Sequence, residues 1–101
     1  MPAIRVEARM GGRVLRARID PTRPLTGHDA YGRVVELGPR VEIRELVGGL
    51  EYDWFLCALG EDGKLEAAQP LDGSNDLVRP EDADLLLELE RAIAIVMEAV
   101  A

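Results

Sequence analysis

Aromatic residues are scarce in this 101-residue chain: one Trp, one Phe and two Tyr, beside a single Cys and a single His. With 48% hydrophobic residues and so few rings, the core is expected to be aliphatic. One cysteine, Cys57, excludes an internal disulfide, and His28 alone cannot build a histidine-rich transition-metal site. No apolar run approaches the roughly 18 residues a membrane span requires, and "MPAIRVEARM" lacks the apolar stretch of a secretory signal. Basic residues are also short, 12 against 19 acids, for a net charge of −7. That balance opposes binding to nucleic acid or to anionic membrane, where cations supply the affinity. The expectation is a cytoplasmic protein of one domain over 1–101, with no cofactor and no metal.

What is present is regular alternation. In "AIRVEARM", Ile4, Val6 and Ala8 share one face while Arg5, Glu7 and Arg9 share the other. "GG" at 11–12 suits a two-residue turn, and "RVLRARID" alternates again. That turn sets Ala8 against Leu15, Val6 against Ala17 and Ile4 against Ile19, so the inner pairs are all apolar. A one-residue slip would destroy this agreement. The reverse face carries Arg5, Arg16 and Arg18. Arg5 meets Arg18 there, a repulsion that argues for a nearby acid, and the three arginines are candidate anion contacts.

"PTRPLTGHDAYG" interrupts the pattern with two prolines and two glycines and predicts a loop of about a dozen residues. A second hairpin is expected around "GPR" at 38–40, pairing Leu37 with Val41 and Val35 with Ile43. Gly48–Gly49 then turns the chain into "LEYDWFLCAL". The resulting register places Arg44 opposite Asp53, Ile43 opposite Trp54 and Val41 opposite Leu56. "GEDG" at 60–63 leads into "KLEAAQ", setting Ala58 against Leu65 and Leu56 against Ala67. This reading puts Tyr52 and Trp54 on the inner face. It also leaves Phe55, Cys57 and Leu59 on the other side, so strand 51–59 is apolar on both faces and something must cover Phe55. The first hairpin, the C-terminal segment and a second chain are all candidates.

The segment "RPEDADLLLELERAIAIVMEAVA" predicts a helix over 80–101. Pro80 suits the first turn, and Glu81, Asp82 and Asp84 suit its positive N-terminal end. Asp84, Glu88, Arg91 and Glu98 make a narrow polar stripe, with Ile95 inside it. The remaining arc is apolar apart from Glu90, wider than one contact face needs. The fold class that follows is α+β: an antiparallel meander of about six strands over 3–71, twisted or partly closed into a barrel, then one amphipathic C-terminal helix.

Chemistry is thin. His28, Asp29 and Tyr31 are the weak catalytic candidates. Adjacent side chains in an extended segment point apart, so His28–Asp29 is no dyad by spacing, and no activated nucleophile accompanies it. Gly27, Asp29 and Gly32 read equally well as turn residues. "DGSND" places Asp72, Ser74 and Asp76 at the first calcium-loop positions, but Leu77 and Ala83 stand where that loop requires Gly and Glu. Cys57 reads as a small buried hydrophobe. No phosphate-binding glycine motif follows a strand.

The function expected is therefore non-catalytic: a small acidic protein-binding factor, of the inhibitor, adaptor, chaperone or immunity type, docking on a partner protein. Small acidic inhibitors often occupy basic surfaces of their targets. Excess apolar surface points to a homodimer, with Phe55, Leu59, Tyr52, Ile95 and Met97 as the interface candidates. Two other classes stay open: an enzyme or small-ligand binder with a pocket between sheet and helix near His28, and a structural subunit of a larger assembly.

Overall fold

The computed structural model describes residues 3–71 and 80–100. Among them, five strands form one antiparallel sheet in sequence order, β1 (Ile4–Met10), β2 (Arg13–His28), β3 (Val34–Val47), β4 (Leu50–Leu59) and β5 (Leu65–Pro70). The sheet curls into a half-barrel, and helix α1 (Pro80–Val100) completes an α+β fold.

The first hairpin has the register that its alternation demands: Ile4 faces Ile19, Val6 faces Ala17 and Ala8 faces Leu15. Gly11 and Gly12 carry φ of 58° and 80°, the positive pair a tight hairpin turn needs. Val6, Ala8, Leu15, Ala17 and Ile19 are all buried.

The second half of β2 departs from expectation. Residues 21–28 are strand, not loop, and 24–28 pair with 34–39. The expected hairpin around "GPR" does not form, because residues 24–28 supply the partner that a local turn would have provided. One strand thus replaces two, which is why five are found where about six were expected. The prolines sit at an irregularity of the sheet: the register shifts between Asp20 and Pro24, and Pro24 then faces Pro39, the kind of position where a sheet tolerates proline. Gly38 makes the bend in β3 possible. Its φ is 137°, and a Cβ there would clash with the Leu59 carbonyl oxygen.

Along β3 and β4, Gly48–Gly49 turn the chain and Arg44 faces Asp53 as expected, with a 2.8 Å hydrogen bond from Arg44 Nε. A register shift then follows. Ile43 faces Phe55 and Val41 faces Cys57, instead of Trp54 and Leu56. The extra residue, Trp54, flips the parity of the rest of β4. Phe55 and Cys57 consequently point into the core, while Trp54 and Leu56 are half-buried and Tyr52 is exposed. The turn after β4 spans five residues rather than four, so Leu59 faces Leu65 and Ala58 faces Glu66.

Helix α1 covers the inner face. Leu85, Leu89 and Ile93 join Phe55, Cys57 and Leu59 in one buried cluster with the first hairpin, which answers what covers Phe55. Two polar contacts fix the helix. Arg13 at the start of β2 hydrogen-bonds both Glu45 and Asp82, tying the first helical turn to β2 and β3. Glu90, the odd charge in the apolar arc, accepts a 2.9 Å hydrogen bond from the Leu65 N–H at the start of β5.

Gly38→Ala tests the bend. Both the backbone conformation and the clash oppose a side chain, and a loss of at least about 2 kcal/mol is expected in urea unfolding. Gly48→Ala, where nothing lies within 4 Å of the added carbon, is expected to lose only about 1 kcal/mol.

Candidate functional site

The weak catalytic candidates sit at the tip of a two-stranded arm. Past Asp20, the distal parts of β2 and β3 pair with each other, and residues 29–32 form the turn. Asp29 organises that turn. Its Oδ1 accepts the backbone N–H groups of Tyr31 (2.8 Å) and Arg33 (3.0 Å), and its Oδ2 accepts from Arg33 Nε at 3.0 Å. The Arg33 N–H, then the Tyr31 N–H and the Arg33 guanidinium, hold this carboxyl below the ordinary aspartate range. The Arg33 guanidinium lies over the Tyr31 ring, 5.3 Å from its centroid. Tyr31 is 83% exposed and His28 is also exposed. Asp29 therefore serves the backbone and orients Arg33, not His28. The inner face, where a pocket between sheet and helix would lie, is occupied by packed aliphatic side chains.

The five interface candidates divide. Phe55 and Leu59 are buried in the chain's own core and offer no surface. Met97 packs partly against that core. Ile95 is 69% exposed and Tyr52 54% exposed. Tyr52 has neighbours that the sequence reading missed. Val47 and Leu50 face each other across the Gly48–Gly49 turn and are both more than half exposed. With Tyr52 two residues along β4, they form a row on the inner face at the turn end of the sheet. Met10 reaches the corresponding end of β1 and is likewise exposed. The available signal was the inner-face alternation 43, 45, 47 on β3 continued across the turn to 50 and 52.

On the outer face lies a groove of about 530 Å³ where β1, β2, β3 and β4 run side by side. The three expected anion contacts, Arg5, Arg16 and Arg18, all line it, together with Arg44. Arg16 is held between Glu7 and Glu51, at 2.7 Å from each. Arg44 is held by Glu42 at 3.1 Å and Asp53 at 2.8 Å.

Cys57 is buried, and its thiol is pushed up to about 12 by that burial and by the nearby Glu90 carboxylate. Among the described residues, no group of three or more His, Cys, Asp or Glu is arranged to hold a metal ion, and no helix is long and apolar enough to cross a membrane. The Asp72–Ser74–Asp76 turn lies outside the described residues. The chain matches no family model, no curated protein and no solved structure.

Two outcomes follow from these environments. Asp29 has a lowered folded value, so its contacts stabilise the turn above the ordinary aspartate value of 3.8 and are lost as pH falls through the folded value. The Tyr31 and Arg33 amide resonances should stay fixed from neutral pH down to the ordinary value and move only below it. Movement beginning at higher pH would show that the carboxylate does not hold the turn. Native Cys57 should react with a thiol reagent only as fast as the chain opens, and so at the same rate at neutral and mildly alkaline pH wherever opening is limiting. Rapid labelling of the folded protein would contradict the packing.

Proposed function

We propose that this chain is a small, acidic, cytoplasmic protein-binding factor that self-associates as a dimer and acts by docking on a partner protein, without catalysis. The observation that carries the reading is the exposed row of Val47, Leu50 and Tyr52. These side chains are adjacent across a two-residue hairpin turn, and the paired strands set their spacing before any partner binds. A tyrosine beside two aliphatic residues is a frequent composition at the centre of an interface.

The surroundings bear on the kind of partner. The chain is seven charges negative overall, which favours a partner of opposite charge, as the target of an inhibitor or immunity-type factor would be. The outer face of α1 is the candidate for self-association. Leu87 and Ile95 are exposed there, 45% and 69%, between the charged side chains Asp84, Glu88, Arg91 and Glu98.

Two variants test the two surfaces. Leu50→Glu should leave the melting temperature nearly unchanged, because the residue is 63% exposed. It should abolish stoichiometric capture of a partner from lysate of the source cells. Retention of that partner by Leu50→Glu, or no partner with either protein, would sink the docking reading. Light scattering at tens of micromolar should give a dimer for the parent chain and a monomer for Ile95→Asp. A monomeric parent would remove self-association.

A further inference from the structure

The arginines of the outer groove are not equally neutralised. Arg16 and Arg44 each sit between two carboxylates, and Glu7, Glu51 and Asp53 are consumed in doing so. Arg5 and Arg18 are left over. They are direct cross-strand partners on the same face of the sheet, which brings their Cβ atoms to roughly 5 Å. Among the described residues, no carboxylate lies within 4.0 Å of Arg5. Among the described residues, the carboxylate within 4.0 Å of Arg18 is Glu42, at 3.9 Å, and it already binds Arg44 at 3.1 Å; Asp20 feels the Arg18 charge from further off, and its oxygen is held by Thr22. Two like charges held opposite one another are unfavourable. In a chain with 19 acids and 12 bases, an arginine pair so little neutralised on the wall of a groove is a position where an added anion would relieve repulsion.

We propose that the outer groove binds one phosphate monoester group between Arg5 and Arg18. Charge matching selects the class. Two guanidinium groups are balanced by a dianion, and a phosphate monoester is close to one at neutral pH. Each guanidinium presents a planar fork of N–H donors that fits phosphate oxygens. The carboxylates restrict the ligand further. Glu7, Glu42 and Glu51 line the same groove, so a run of consecutive phosphates would meet negative charge on either side of the arginine pair. A single phosphate on an otherwise uncharged carrier avoids them, and nucleic acid does not. The volume, about 530 Å³, is in the range of small-ligand sites. This inference is independent of the docking surface proposed above, which lies on the opposite face of the sheet.

The test is titration of isotope-labelled protein with inorganic phosphate, with chloride at matched ionic strength as the reference, following the arginine Nε–H resonances. Phosphate should shift Arg5 and Arg18 saturably at millimolar concentration, while chloride does not. Arg5→Gln and Arg18→Gln should each weaken phosphate binding about tenfold, and Arg23→Gln, outside the groove, should leave it unchanged. Without phosphate, Arg5→Gln should melt no lower than the parent chain, since it relieves a repulsion, so lost binding is not lost folding. O-phosphoserine and a phosphoserine peptide, each against its unphosphorylated twin, then separate a free ester from a protein-borne one. Linear, non-saturating shifts, or equal affinity in Arg5→Gln and the parent chain, would overturn the proposal.

Discussion

Among the described residues, one curled sheet with an apolar inner face has a single helix to cover it, and much of the molecule follows from that shortage. Helix α1 has 21 residues, about 32 Å at ~1.5 Å per residue. Strand β2 has 16 residues, and the molecule is 43 Å along its longest axis. The cover is shorter than the surface it must protect. The aliphatic cluster around Leu15, Ile19, Ile43, Leu89 and Ile93 forms where helix and sheet overlap. Where they do not overlap, the chain takes two solutions. At one end β2 and β3 continue alone as an arm whose turn is held by Asp29. At the other end, Val47, Leu50 and Tyr52 remain on the inner face and exposed.

A cover that short must also be held in place, because apolar packing alone does not fix how a helix slides or rotates over a smooth aliphatic sheet. Directional contacts do that here. Arg13 joins Asp82 and Glu45, with its side chain about one-third exposed and the two carboxylates more buried than it is. Removing the arginine alone would strand two partly buried carboxylates and cost stability, while replacing all three by packed apolar groups need not. Glu90 does the same near the other edge of the sheet, satisfying the first N–H of β5. Both are charged residues set into apolar surroundings, the arrangement in which a polar contact is most position-specific.

This geometry explains what was legible in the sequence. The first hairpin was readable because its period-2 pattern and its turn glycines agree. Any slip would have exposed Leu15 and Ile19, which are fully buried. The pattern alone failed on β4, because one unpaired residue at Trp54 exchanges the two faces beyond it. A strand apolar on both sides gives no warning of such a flip. Phe55 and Leu59 were expected at an interface for that reason. The arm was hidden differently. Pro21, Pro24, Gly27 and Gly38 read as turn residues one by one, yet the register shift at Pro21–Arg23 and the bend at Gly38 use them inside continuous strands. The Arg5–Arg18 pairing was readable from the hairpin register. So was the Arg44–Asp53 pair. The second carboxylate on each paired arginine was not, since Glu51 lies two strands away from Arg16 and Glu42 lies two residues from Arg44 on its own strand.

Net charge is therefore a poor guide to either face of this sheet. A charge of −7 predicts a molecule that repels anions everywhere, but screening limits that field to about 8–10 Å at physiological ionic strength. Within that distance the local inventory decides. On the outer face each arginine that is paired removes carboxylates from circulation, and Arg16 and Arg44 together engage four. On the helix the balance is reversed: Asp84, Glu88 and Glu98 outnumber Arg91, which approaches only Glu88, at 3.4 Å. The uncompensated acids thus stand beside Leu87 and Ile95, and the under-neutralised bases stand across the sheet from them. A sheet covered on one face by α1 has two unlike surfaces by construction, and this sequence has placed its surplus negative and its surplus positive charge on different ones.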